Sequence, residues 1–459
     1  MASISKFSGG YSPDEQVGPA GSFKVGRNLN IRERVDSLTC GNKMLQVSGL
    51  DNEKVNVYVN TGALGVFAFC ASGKIYYSSN PNGASWTLSY TDSDGQIRGA
   101  SLFNDASNTY LYWIVGDTTA KKLKKSVIST TLTPSTIVSW TANVPSDYNM
   151  MKQVLDRMFF CNSNDLGMVS LDGTYQLAVE SAPFNLIFNC LEESNGFLMA
   201  GMINTRGGDT FIKTISIVGE VGTIKNIPIK ATKVECIING GKDIIAMAGG
   251  VLYLCNTSDA EPIQNIGLNS SPHATVGLNN IPYFGLYKYA TTRDEGVFSY
   301  GRKDAIRSKA LNLDFYLGDN IQEIYSMSVG LDNNLIVSFN DGGINKTFYE
   351  NINLKADGVY ETLDIYSPDT ITAPVSYKLL KGIMAPLPTG CSIKAYYQKD
   401  KKGVYTPLIT NTNNTAIFNT VNATEFVFPV NENSDIMSIK LELFANGLNC
   451  PRIYKLNII

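Results

Sequence analysis

The stretch GKIYYSSNPNGASWTLSY, Gly73–Tyr90, decides how the rest of the chain is read. An alternating run, Lys74–Ser79, enters a turn of Asn, Pro and Gly, and a second alternating run, Ser85–Tyr90, leaves it. Period-two alternation turns one face to a core and the other to water. The turn residues supply the backbone angles that a reversal needs, so the stretch predicts a β-hairpin.

Outward from this hairpin, from about Met44 to about Leu354, strand-like runs separated by Gly, Asn and Asp turns come in groups. The hairpin belongs with Val55–Val59 and Gly65–Cys70. The next groups are Ile97–Phe103, Tyr110–Val115 and Leu123–Ile128; Val154–Cys161, Gly167–Leu171 and Gln176–Val179; and Asn185–Leu191, Phe197–Met202 and Phe211–Ile217. They continue with Thr232–Ile238, Ile244–Ala248 and Val251–Cys255; Tyr283–Tyr289, Gly296–Tyr300 and Leu311–Phe315; and Ile324–Val329, Leu335–Phe339 and Lys346–Tyr349. The spacing averages roughly 40–50 residues, the period of a four-stranded propeller blade. Blades stack around an axis because none buries both faces alone. The small residues Ala200-Gly201 and Ala246–Gly250 in second runs suit crowded strands near that axis. The expected fold is all-β: a β-propeller of about seven blades over residues 46–355, with a pair of large sandwiches or a solenoid as the competing arrangement.

The ends of the chain differ. Residues 1–45 are broken by Ser8-Gly9-Gly10-Tyr11 and Gly18-Pro19-Ala20-Gly21, after which Arg27, Arg32, Glu33 and Arg34 alternate with Leu29, Ile31 and Val35. Phe7, Tyr11, Phe23 and Ile31 are too apolar for a disordered tail, so this segment is expected to be an extended N-terminal arm docked on a partner. Residues 356–459 hold the runs Glu361–Tyr366, Ser376–Ile383, Cys391–Gln398, Glu425–Pro429, Ser438–Phe444 and Ile453–Ile459 between Pro, Gly and Asn clusters, the pattern of a β-sandwich or jelly roll. Pro386–Gly390 reads as a turn and Lys399–Gly403 as a charged hairpin tip.

Composition narrows the function classes. The chain has 459 residues, 44% hydrophobic and 17% charged, with 40 Gly, 24 Tyr and 20 Phe, which suits β structure with many turns. Its formal net charge is -3, with no strongly basic half, so nucleic acid is not expected as a partner. The cluster Lys121, Lys122, Lys124 and Lys125 is read as a solvated hairpin turn. No apolar run is long enough for a bilayer and the N-terminus lacks a signal-peptide pattern, so no membrane role and synthesis in a cytoplasm are expected. The eight cysteines carry no CxxC and there is one histidine, so no zinc site is expected. Cys70, Cys161, Cys190, Cys236 and Cys255 lie in apolar runs and read as buried thiols in a reducing compartment.

The hairpin carries one further pattern. Ser79, Gly83, Ser85 and Trp86 resemble the SxDxGx(S/T)W hairpin of sialidase-like propellers, with Pro81 where the Asp would stand. That is a folding motif, in which the aromatic packs between blades. Catalytic arrangements are not evident. Asp92, Asp94, Asp332 and Asp341 sit in turn signals, not in a glycosidase pair. Arg302–Arg307 reads as an interblade loop or interface patch, and His273 as a solvated loop histidine without a specific partner. Asp332-Asn333-Asn334 and Asn340-Asp341-Gly342 read as turns, not calcium loops. No P-loop or dinucleotide fingerprint occurs. No catalytic, cofactor-binding or metal residue is therefore assigned, no cofactor is expected, and the chain is expected not to be an enzyme.

Three stretches resemble a family of tailed-bacteriophage virion proteins. They are KFSGGYSPDEQVGPAGSFKVGRNLNIRERVDSLT (6–39), GVFSYGRKDAIRSKALNLDF (296–315) and PLPTGCSIKAYYQKD (386–400). The resemblance implies a non-enzymatic structural component of a virion, assembling with neck or tail proteins as a symmetric homo-oligomer after synthesis in a host bacterial cytoplasm. The alternative is a carbohydrate-binding adhesin or receptor-binding protein that uses Tyr- and Asn-rich loops to hold a host glycan.

Overall fold

A computed structural model describes residues 2–12, 20–32, 37–62, 64–105, 108–142, 146–288, 294–302, 309–366, 374–410 and 415–459. Among them there is no helix; the regular structure is strand throughout. The chain forms two compact units. One comprises Leu45–Gly296 and Leu317–Glu350; the other comprises Met1–Met44, Val297–Tyr316 and Asn351–Ile459.

The first unit is a series of small antiparallel sheets, each built largely from consecutive strands. The first sheet is Val55–Asn60, Val66–Cys70, Lys74–Ser78 and Thr87–Thr91. The second is Gln96–Asn104, Thr109–Gly116, Ala120–Val127 and Ser135–Thr141. The third is Met151–Val154, Arg157–Asn162, Asp165–Ser170 and Tyr175–Ser181. The fourth is Leu186–Ser194, Phe197–Asn204, Thr210–Ser216 and Gly222–Ile229. The fifth is Val234–Asn239, Ile244–Ala248, Val251–Cys255 and Ala260–Asn265. In the sixth, Leu268–Asn269 and Thr275–Leu278 both pair with Ile281–Lys288. The last contains Ile321–Val329, Leu335–Asp341 and Ile344–Lys355, and takes its fourth strand, Asn42–Gln46, from far earlier in the chain. Val47 N–H continues that pairing by donating to Thr347 O at 3.0 Å.

The leading strands of neighbouring sheets touch in sequence, and Ile321–Val329 of the last sheet packs against Val55–Asn60 of the first, so the contacts close into a ring. This is a propeller-like arrangement. The hairpin at Gly73–Tyr90 forms as expected, with Tyr76 opposite Leu88. Trp86 is 6% exposed and shares a core with Ile336 and Tyr349 of the last sheet, the between-sheet position its motif implies. Pro81 takes the Asp place without losing the turn: its carbonyl accepts from Asp332 N–H (3.1 Å), and Asn334 Nδ2 donates to Asn82 O (2.8 Å).

A repeated device joins the ring. In the leading strands the ladder slips by one residue at Asn56, Arg98, Asn189, Glu235 and Tyr325. A β-bulge leaves its extra residue unpaired and re-aims the side chain. Asn56 Nδ2 then donates to Ile97 O of the second sheet (2.7 Å) and Asn189 Nδ2 to Val234 O of the fifth (2.8 Å). Beside Tyr325, Ser326 Oγ closes the circle on Val55 O (2.6 Å). The small second-run residues need a correction. Gly201 lies in a second strand, outside the leading strands that form the ring. It is small because a Cβ there would meet Cys190 Sγ and Val234 Cγ1 within 2.6 Å.

The other unit corrects the expected boundaries at 1–45 and 356–459. Ala2–Ile4 pairs with Arg452–Ile458, and Leu38–Thr39 adds to the same strand. Ser22–Arg27 pairs with Gly358–Thr362, which pairs in turn with Ile436–Phe444. Two sheets result, each containing strands from both ends of the chain, and they share one core. Phe7 and Phe23 are fully buried in it, with ring centroids 5.6 and 5.8 Å from Tyr360. The apolar residues that argued against a disordered tail are thus satisfied within the chain itself, so the segment is not a free arm. Residues 297–316 join this unit too: Arg32 pairs with Asp314 Oδ1 (3.5 Å), and Asn312 Nδ2 donates to Leu29 O (2.9 Å). Of the three stretches 6–39, 296–315 and 386–400, all but Gly296 therefore fall in one unit.

Candidate functional site

The most chemically distinctive place in the ring of sheets is a cleft of about 630 Å³ on the second sheet. Its wall includes Arg98, Lys121, Lys122, Trp140, Asp94 and Asp117. Arg98 enters it because the bulge breaks strand alternation, and the residue is 5% exposed as a result. Its Nε donates to Gly116 O (3.1 Å) and Nη1 to Asp147 O (3.0 Å), with the exposed Asp147 carboxylate 3.7 Å away. Burial lowers the Arg98 pKa, while Asp147 and Asp117 oppose that.

Lys121 lies two strands further out and is 2% exposed. Its ammonium donates to Ser146 Oγ (2.7 Å); among the described residues no carboxylate is within ion-pair range. Burial, reinforced by the neighbouring Arg98 charge, brings its pKa down to about 8. Taking a cation out of water without a counterion disfavours the charged form, which is the physical content of that shift. Trp140 is held by its indole N–H to Asn162 Oδ1 (2.8 Å) and packs on Phe160.

The lysine cluster is therefore corrected. Lys121, Lys122, Lys124 and Lys125 lie within Ala120–Val127, a strand and not a hairpin turn. Lys124 reaches Asp92 (2.7 Å) and Asp94 (2.5 Å), Lys122 reaches Asp94 (2.6 Å) and Lys125 reaches Asp105 (3.0 Å). Long aliphatic stems let lysines cross apolar ground while their heads find carboxylates. Asp92, read as a turn residue, is also the acceptor for Trp113 Nε1 at 2.9 Å.

His273 is corrected as well. It is 7% exposed, its Nε2 has no hydrogen-bond partner among the described residues, and burial lowers its pKa to about 4. It lines a cavity of about 240 Å³ with Tyr58, Ser101, Lys152, Thr275 and Met327, drawn from leading strands of several sheets. Its carbonyl accepts from Met327 N–H (2.9 Å), which fixes the segment as part of the ring. A second perturbed group, Glu235, sits at the bulge of the fifth sheet. It is 5% exposed, accepts from Gly249 N–H (3.1 Å), and burial raises its pKa to about 7.

The remaining residues singled out in the sequence are ordinary. Asp341 pairs with Lys346 (2.7 Å) in a hairpin, and Asn333 takes the positive φ of a turn. Cys70, Cys161, Cys190, Cys236 and Cys255 are free and buried. Of Arg302–Arg307, only Arg302 lies within the described residues. Arg98, Trp140, Ser146 and Asp147 were not singled out. The available signal was Arg98 itself, the one charge inside the run Ile97–Phe103.

No protein-family model matches the chain, and no curated protein matches it at a significant level. Among solved structures it is similar to a chain of the mitotic checkpoint complex, with 11% identity and a TM-score of 0.47, over 67% of this chain and 94% of that one. It is also similar to a putative oxidoreductase (glucose dehydrogenase) from Thermus thermophilus, with 10% identity and a TM-score of 0.38, over 67% of this chain and 99% of that one. The architecture described above rests on the strand pairing itself.

Proposed function

We propose that this chain is a non-enzymatic structural component of a tailed-bacteriophage virion, built from a seven-bladed propeller and a β-sandwich and assembling with neck or tail proteins as a symmetric homo-oligomer. The observation that carries the reading is convergence. The three stretches that resemble virion proteins are separated by roughly 250 and 70 residues, yet all but Gly296 fall in one folded unit. Stretches that resemble a family by accident have no reason to share a core. A ring of sheets whose outer strands are polar, two of them carrying Pro228 and Pro262, suits a load-bearing part, because such edges resist the slipping and aggregation that free edge strands invite.

Mass spectrometry of purified particles of the phage encoding this chain tests the reading. The chain is expected in multiple copies per particle; its absence from intact particles overturns the proposal. A second reading, a carbohydrate-binding adhesin on the same particle, is favoured by the open cleft beside Trp140. Glycan-array binding by the assembled protein, with antibody label confined to the tail tip, would replace the structural reading with that one.

A further inference from the structure

The second sheet holds three buried cations, Arg98, Lys121 and Lys124, in a chain whose net charge is only -3. Arg98 and Lys121 both line the same cleft, and each is almost out of water. Two of the three local anions are committed elsewhere. Asp94 is shared by Lys122 and Lys124, and Asp117 accepts from the backbone of Thr119 and Ala120 and from Thr119 Oγ1. Asp147 contacts Arg98 from the solvent side, with its side chain 81% exposed. Lys121 has three N–H donors and uses one, on Ser146 Oγ. A buried ammonium with donors to spare, beside a guanidinium, is a place where an incoming oxyanion gains charge-assisted hydrogen bonds in low dielectric.

The cleft is much larger than a bare ion needs and falls within the usual range for ligand sites. Trp140 offers an aromatic wall, and Ser139 and Thr141 line the cleft beside it. An aromatic face with hydroxyls around it suits the C–H face and hydroxyl rim of a sugar ring. We propose that this cleft binds an anionic sugar, its phosphate or carboxylate held between Lys121 Nζ and the Arg98 guanidinium and its ring against Trp140. The site stands apart from the virion reading and does not depend on it.

Isothermal titration calorimetry on the full chain at constant ionic strength tests the site. The probes are glucose 6-phosphate, glucuronate, inorganic phosphate and glucose. Saturable binding of one or both anionic sugars is expected, with inorganic phosphate weaker and glucose silent. The phosphorylated and carboxylated probes separate the two anion types. Lys121→Met is expected to abolish binding while folding normally, since it removes a buried charge and keeps the stem. The unaltered chain supplies a second measurement. Lys121 faces Arg98, Asp147, Asp117 and Cys161. Affinity is expected to fall by up to about tenfold per pH unit once the free-state ammonium pKa of about 8 is passed and until the raised bound-state pKa is reached, with proton uptake on binding near pH 8. Absence of anion binding, binding unchanged in Lys121→Met, or affinity flat across that pH range overturns the site. Inorganic phosphate binding as tightly as the sugar phosphate overturns the sugar.

Discussion

In the ring of sheets, Val55–Asn60 pairs with Val66–Cys70 a few residues on; in the other unit, Ala2–Ile4 pairs with Arg452–Ile458 at the opposite end of the chain. Both of these pairings are antiparallel, and both units bury aromatic side chains. They differ in where the partners come from. Local hairpins require little loop closure before they are stabilised, whereas distant pairings must bring far segments together first. The ring can therefore form sheet by sheet. The other unit is complete only when residues 1–44, 297–316 and 351–459 are all present.

Deleting residues 1–44 is the most severe way to break this comparison. It removes Phe7, Phe23 and four paired strands, and residues 351–459 are expected to lose hydrogen-exchange protection while the hairpins of the second to fifth sheets keep theirs. If 351–459 stays protected, the distant strands are dispensable and the contrast fails. Phe23→Ala is the point version. A fully buried phenylalanine truncated to alanine costs about 3–5 kcal/mol, read as a lower urea midpoint for the transition that reports on this unit.

Within the ring, the pH dependence of two buried groups sharpens the picture. The Glu235 pKa rises to about 7 from 4.5, so the stability linked to its bound proton is present below 4.5 and is lost as pH rises through 7. Glu235→Gln is expected to leave stability at pH 4 nearly unchanged and to raise it at pH 8 by up to about 3 kcal/mol. Equal urea midpoints for the two proteins at pH 8 would count against a buried, uncompensated carboxylate. The His273 pKa falls to about 4 from 6.5, which gives the opposite sign: its contribution is present above 6.5 and is lost as pH falls through 4. The chain is expected to lose about 3 kcal/mol of stability across that window, and His273→Gln to lose that slope. The smallest effect concerns the clamps. Asn56→Ala removes one inter-sheet hydrogen bond and leaves the Ile97 carbonyl without that donor, a loss of about 1–3 kcal/mol in denaturant unfolding.

Much of the ring was legible because its signal is local. Alternation and turn residues located the first, second and third strands of most sheets within a few residues. The outer strands were missed: Ser135–Thr141, Gly222–Ile229 and Ala260–Asn265 are polar and half-exposed, and the last two contain Pro228 and Pro262, which edge strands tolerate. Val154–Cys161 was taken as one run, although Leu155 adopts φ 52° in a tight turn between two strands. A leucine there gives no composition signal.

The candidate cleft was less legible. The lysine run was visible, but its reading depended on whether carboxylates faced it. Asp92, Asp94 and Asp105 lie roughly 20–30 residues away in sequence and meet the lysines only through strand pairing. His273 looks like a loop residue because Ser, Pro and Asn flank it, and only the closing of the ring buries it.

The sequence by itself determined the all-β class, the hairpin at Gly73–Tyr90, the buried thiols and the turn chemistry. Each depends on side-chain periodicity or on backbone angles within a few residues. Tertiary structure alone decided three things: that the first 44 residues belong with the last hundred or so, that the bulged Asn56 and Asn189 side chains reach neighbouring sheets and the bulged Arg98 a cleft, and that Lys121 is left without a carboxylate among the described residues. Pairing between distant strands, and the burial that sets the state of a charge, depend on which surfaces meet, and no local pattern encodes that.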